Sequence, residues 1–144
     1  MAEAAADAAR NEAEAILKPA DQAGPEDLLR ADGYIFCAPE NLAAISGLMK
    51  EFFDRCYYPV LGQIEGRPYA QMVCAGSDGE NAARQTARIA TGWRLKEVQP
   101  PLIICTHAQT PEAILADKTI PQDQLALCRE IGAALAAGLS LGVF

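Results

Sequence analysis

The chain has 144 residues, 51% of them apolar and 22% charged, which suits one soluble domain around one core. A formal charge of −7 argues against nucleic acid and anionic membrane as partners, because an acidic surface repels phosphate. No window is long and apolar enough to span a bilayer, and the alanine run at the N-terminus, dotted with acids, lacks the apolar centre of a secretory signal.

Residues 2–13 are mostly alanine with acids and arginine between, which predicts a helix. The short apolar stretch Ala15–Pro19 predicts a strand. Gly24-Pro25 breaks the chain, and Pro25 opens a short helix over Glu26–Ala31. Tyr34–Ala38 is a continuous apolar run between Asp32-Gly33 and Pro39, the pattern of a strand buried on both faces. A helix is expected over Ile45–Tyr57, closed by Pro59. Its inner face carries Leu48, Phe52, Cys56, Met49 and Phe53, while Lys50, Glu51 and Asp54 face out. Pro68–Ala75 reads as a second buried strand, Gly76–Gly79 as a loop and Asn81–Gly92 as a helix. Leu102–Thr106 is a third buried strand. Gln109–Ile120 looks irregular, and Pro121 opens a last helix to Leu139 with Leu125, Cys128, Ile131, Leu135 and Leu139 at core spacing.

Buried strands alternating with helices predict a three-layer α/β sandwich with a parallel sheet. In such sheets ligands bind beyond the carboxyl ends of the strands. Two segments leave strand carboxyl ends and feed helices, Pro39–Ala44 and Gly76–Glu80.

The five cysteines include no CxxC pair, and Cys37, Cys74 and Cys105 sit in apolar runs as small hydrophobes. Reduced thiols without an export signal point to the cytoplasm. His107 is the one histidine and has no clustered ligands, so a zinc site is not expected. Trp93, near a helix end, reads as a packing anchor, and Asp54-Arg55 as a helix-end ion pair.

Residues 38–55, APENLAAISGLMKEFFDR, place a strand end and proline, a short polar stretch, Ser46-Gly47 and an amphipathic helix with Lys50, Phe52 or Phe53, and Asp54-Arg55 in that order. This arrangement resembles the flavodoxin-like family of NAD(P)H-dependent FMN reductases. CAGSDGENAARQ, residues 74–85, is similar to the family's second flavin-side loop. The resemblance implies a flavodoxin-like fold and FMN as cofactor. It also implies NAD(P)H as electron donor and a small-molecule acceptor; a homo-oligomer such as a homodimer is the expected repair of a sheet left open by a missing first strand. The resemblance places the ring between Pro39, Glu40, Asn41, Leu42 and Ala43 on one side and Gly76, Ser77, Asp78 and Gly79 on the other. Gly76 and Gly79 would let backbone approach the ring, and Ser77 or Asp78 would bond its polar edge. The hydride chemistry belongs to the flavin, so no catalytic side chain is required.

The family's first strand, and the serine/threonine/glycine-rich loop that wraps the FMN phosphate, precede its first helix. Here that helix begins at Met1. The resemblance therefore implies that strand and loop are missing, that FMN binds weakly or not at all, and that an upstream segment encodes them. Three functions compete: a redox flavoprotein, a non-catalytic domain of the same fold acting by association, and a phosphoacceptor receiver domain. The last needs a lysine after the final strand, where Cys105-Thr106-His107 stands.

Overall fold

The computed structural model describes residues 1–144. The elements run α1 (Ala2–Ala9), α2 (Pro25–Arg30), β1 (Tyr34–Asn41), β2 (Ala44–Ile45), α3 (Gly47–Val60), β3 (Pro68–Ala75), α4 (Glu80–Gly92), β4 (Lys96–Glu97), β5 (Leu102–Cys105), α5 (Pro111–Leu115) and α6 (Gln122–Ser140). The sheet is ordered β2-β1-β3-β4, with β5 also on β3. Every pairing is parallel except the antiparallel hairpin of β1 and β2. The α/β fold with a mostly parallel sheet is thus the one the alternating pattern predicts.

β3 is central because its sequence has apolar residues for both sides: all but Cys74 are buried. One face meets α2, α3 and α4 through Tyr34, Phe36, Phe53, Tyr69, Val73 and Trp93. Phe36 lies 5.1 Å from Phe53 and 6.4 Å from Trp93, ring centre to ring centre. Trp93, 1% exposed, is the packing anchor expected of it. The other face meets α1 and α6 through Ala5, Ala70, Met72, Ile104, Cys128 and Ile131. Here the cover is thin and close. A side chain on Gly132 would meet the Ala5 carbonyl at 2.0 Å, so the alanine helix docks by backbone proximity. Little volume is buried, as the composition implies, yet α1 is anchored by α6.

Several expectations need correction. Ala15–Pro19 joins no strand, and Ile16 and Leu17 are exposed. α1 ends at Ala9, not residue 13. Pro59 lies inside the last turn of α3, where its ring is accommodated, and the helix stops at Val60. Leu48 is exposed, because the inward stripe of α3 is Met49, Phe52, Phe53, Cys56 and Val60. Asp54 and Arg55 do not pair with each other. Lys50 bonds Asp54, and Arg55 bonds Glu51 while donating to the Ala20 and Ala23 carbonyls. Part of the stretch taken as irregular is the helical turn α5, capped by the Thr110 hydroxyl, which accepts from Ala113 N–H at 3.2 Å.

β1 pairs with β3 along residues 34–39 and with β2 only at Glu40 and Asn41. Tyr34–Ala38 therefore has one open edge, although its composition is that of an interior strand.

Candidate functional site

The carboxyl ends of β1, β3 and β5 lie side by side in register, since Pro39 pairs with Cys74 and Ala75 with Cys105. The segments leaving these strands therefore gather at one end of the sheet. The first was expected as a plain loop over Pro39–Ala44. It is instead a hairpin: β1 continues through Pro39, Glu40 and Asn41, and Leu42-Ala43 turns the chain into β2. Pro39 fits the strand because it sits where β1 has begun to leave the core. Both turn residues hold positive φ, 53° at Leu42 and 59° at Ala43. That geometry matches the twist of a two-residue hairpin and normally falls to Asn-Gly. Without those residues the turn left no sequence signal. Leu42 stands fully exposed at the tip.

Glu40 is neither wholly solvated nor a backbone contributor alone. Its Oε1 is closed off from solvent and has no hydrogen-bond partner. Strand alternation puts it on the face of β1 that carries Phe36 and Ala38.

The second segment, Gly76–Gly79, leaves β3 and turns into α4. Ser77 and Asp78 are exposed, as a ligand-facing loop requires. The two glycines differ in what the fold asks of them. Gly79 is buried at φ 84°, and a Cβ there would meet Ile103 Cγ2 at 2.5 Å. A Cβ on Gly76 would point at the Ala108 carbonyl 3.8 Å away. The Asp78 carbonyl accepts from the Cys105 thiol, and its carboxylate accepts from Glu80 N–H at 3.4 Å.

A third segment completes the rim. Thr106 N–H returns to the Ala75 carbonyl at 2.9 Å, and His107 takes positive φ, 53°. This loop was missed as a site element because its only sequence mark is the single histidine after the third strand. Below the rim, burial pushes the Cys37 thiol up to about 11, so it stays protonated at neutral pH. All five cysteines are free, and no cluster of three or more His, Cys, Asp or Glu side chains could hold a metal ion.

The hairpin and the second loop are tied to each other. Asn81, at the start of α4, donates to the Ala43 carbonyl, and Ile45 N–H donates to Gln85 Oε1 at 2.9 Å. A family model described as NADPH-dependent FMN reductase matches residues 4–110. The chain belongs to that family. A flavodoxin of Aquifex aeolicus (strain VF5) is 41% identical over 69 residues, which are 46% of this chain and 37% of the relative's length. Among solved structures, a flavodoxin from the domain Archaea superposes with a TM-score of 0.74 at 13% identity, over 96% of this chain and 87% of that one. A flavodoxin, WrbA-like protein from Agrobacterium tumefaciens gives 0.67 at 17% identity, over 97% and 87%. The flavodiiron protein from Giardia intestinalis gives 0.74 at 13%, over 98% of this chain and 32% of that one. These structural likenesses show the flavodoxin-like fold. The family is one described by FMN reduction, and no helix of this chain is long and apolar enough to cross a membrane.

The residues of this chain fit a flavin ring. The hairpin tip offers backbone away from the core, and Ser77 and Asp78 offer polar atoms opposite. Glu40 Oε1 is an acceptor without a donor.

Proposed function

We propose that this chain is an FMN-dependent oxidoreductase that takes electrons from NAD(P)H and delivers them to a small-molecule acceptor. The observation that carries the reading is the convergence of a strained hairpin and the Gly76–Gly79 loop at the carboxyl ends of β1 and β3. FMN, when bound, supplies the two-electron chemistry, receiving hydride from the nicotinamide and returning the electrons to an acceptor. The chain's own residues bind and orient. Pro39–Ala43 line one side of the ring through backbone groups, and Gly76–Gly79 line the other. Ser77 and Asp78 hydrogen-bond its polar edge. Glu40 Oε1 accepts a ring N–H, which relieves a buried unpaired oxygen that otherwise costs about 1–3 kcal/mol. A cytoplasmic setting suits five free thiols.

The deciding experiment is titration with FMN followed by loss of flavin fluorescence. NADPH and NADH oxidation is then measured with a quinone or free flavin as acceptor. Saturable binding that weakens in Glu40→Leu, with oxidation that depends on added FMN, is the expected result. Absence of binding at millimolar FMN removes the reading.

A second reading, association without catalysis, draws on the open edge of Tyr34–Ala38. Unpaired strand edges accept another strand. It predicts a homodimer in sedimentation analysis without any flavin dependence.

A further inference from the structure

Helix α4 works in two directions. Ala82, Ala83, Thr86 and Ala90 pack down on the sheet. Asn81 and Gln85, one turn apart and so on one stripe of the helix, reach sideways to the hairpin instead. The hairpin's own ladder explains why those atoms are free to be taken. Asn41 and Ala44 flank the turn, and Ser46 N–H returns to the Pro39 carbonyl at 3.1 Å. Ile45 lies between those pairs, so its N–H points away from β1. Gln85 Oε1 accepts that N–H at 2.9 Å. Asn81 Nδ2 donates to the Ala43 carbonyl inside the turn. Arg84 donates to Asn81 Oδ1 at 2.6 Å, which commits the amide oxygen and leaves the nitrogen for Ala43.

Leu42 and Ala43 hold a left-handed geometry that a residue with a Cβ adopts only under restraint. The hairpin's own pairing supplies part of that restraint, and these two amides brace the turn from outside. Because α4 starts directly after Gly79, the same bonds fix the spacing between the hairpin tip and the second loop. We propose that Asn81 and Gln85 are positioning residues that hold the hairpin tip against the start of α4, and so set FMN affinity. The proposal rests on the reading of the two segments as the ring slot. The alternative is that the amides only cover the exposed edge of β2.

The two side chains act through opposite chemistry, which makes the test selective. Gln85 is used as an acceptor and Asn81 as a donor. Gln85→Glu keeps the acceptor and is expected to bind FMN within about twofold of the parent chain. Gln85→Leu is expected to bind about tenfold more weakly, the scale of one hydrogen bond. Asn81→Asp removes the donor and sets a carboxylate oxygen against the Ala43 carbonyl, so it is expected to fall about tenfold, as far as Asn81→Ala. Amide hydrogen exchange at Ile45 is read in parallel. It should accelerate in Gln85→Leu and stay slow in Gln85→Glu. Parent-like FMN affinity in Gln85→Leu overturns the proposal, as does equal weakening in Gln85→Glu and Gln85→Leu. If the parent chain itself binds no FMN, the ring-slot reading fails and the affinity claim with it. The exchange data then decide the clamp alone: acceleration in Gln85→Leu but not Gln85→Glu upholds it, and identical exchange in all three chains overturns it.

Discussion

Residues 34–38 of β1 lie between two helical layers, while residues 39–43, the strand's end and the turn beyond it, are mostly exposed and meet α4. The first part alternates buried and half-buried positions and puts Phe36 among the rings of Tyr34, Phe53, Tyr69 and Trp93. The second part is mostly exposed, carries a carboxylate oxygen with no partner, and ends in two residues at positive φ. One strand thus supplies stability at its amino end and a strained, unsatisfied rim at its carboxyl end. The difference shows how a parallel sheet presents a site: the core fixes the strand, and the strand's rigid end holds backbone in a shape it would not keep alone.

The largest effect should come from the buried end. Phe36→Ala removes a ring that touches four others, and it should destabilise the chain by about 3–5 kcal/mol in urea unfolding. A loss below about 1 kcal/mol would mean that the ring cluster is not what fixes β1, and the contrast between its two ends would collapse.

An intermediate effect is expected on the opposite face, where Ile35 and Cys37 are covered by α1 and α6. Gly132→Ala places a methyl 2.0 Å from the Ala5 carbonyl, and backbone cannot yield as a side chain does. The helices must part, at a cost of about 1–3 kcal/mol. Faster amide exchange confined to residues 2–9 would show that this face opens separately from the aromatic one. Unchanged stability and exchange would show that α1 is not held by close approach to α6.

The buried end was legible in the sequence and the site end was not, for physical reasons. YIFCA is a continuous apolar run and PYAQMVCA is one broken only by Gln71, the pattern of strands covered on both faces, so β1, β3 and their order with the helices could be read directly. Solvated rim residues leave no such periodicity. Pro39 looked like a strand end because the turn beyond it is Leu42-Ala43, which has no glycine or asparagine to announce a hairpin. Ala15–Pro19 looked like a strand because it is apolar, but apolarity without a partner edge forms no ladder. Gly79 is required by its positive φ and by Ile103 close beside it, whereas nothing in the backbone around Gly76 demands a glycine. The bonds from Asn81 and Gln85 link residues about 40 apart in sequence, and no local pattern reports such a contact.

The smallest effect should carry the opposite sign. Ala43 sits at φ 59°, a region where a Cβ crowds the backbone and glycine does not. Ala43→Gly therefore relieves local strain, worth about 1–2 kcal/mol for a non-glycine residue. Glycine also gives the unfolded chain more freedom, which takes back about 0.5–1 kcal/mol. The balance is a gain of up to about 1 kcal/mol, read as a modest rise in the urea midpoint with an unchanged slope. The exposed position of Ala43 means that no packing is lost to confuse the result. A clear fall in the midpoint would show that Ala43 is not strained and that the rim is as relaxed as the core. A gain would place stored strain at the turn beyond the carboxyl end of β1, where the hairpin meets α4.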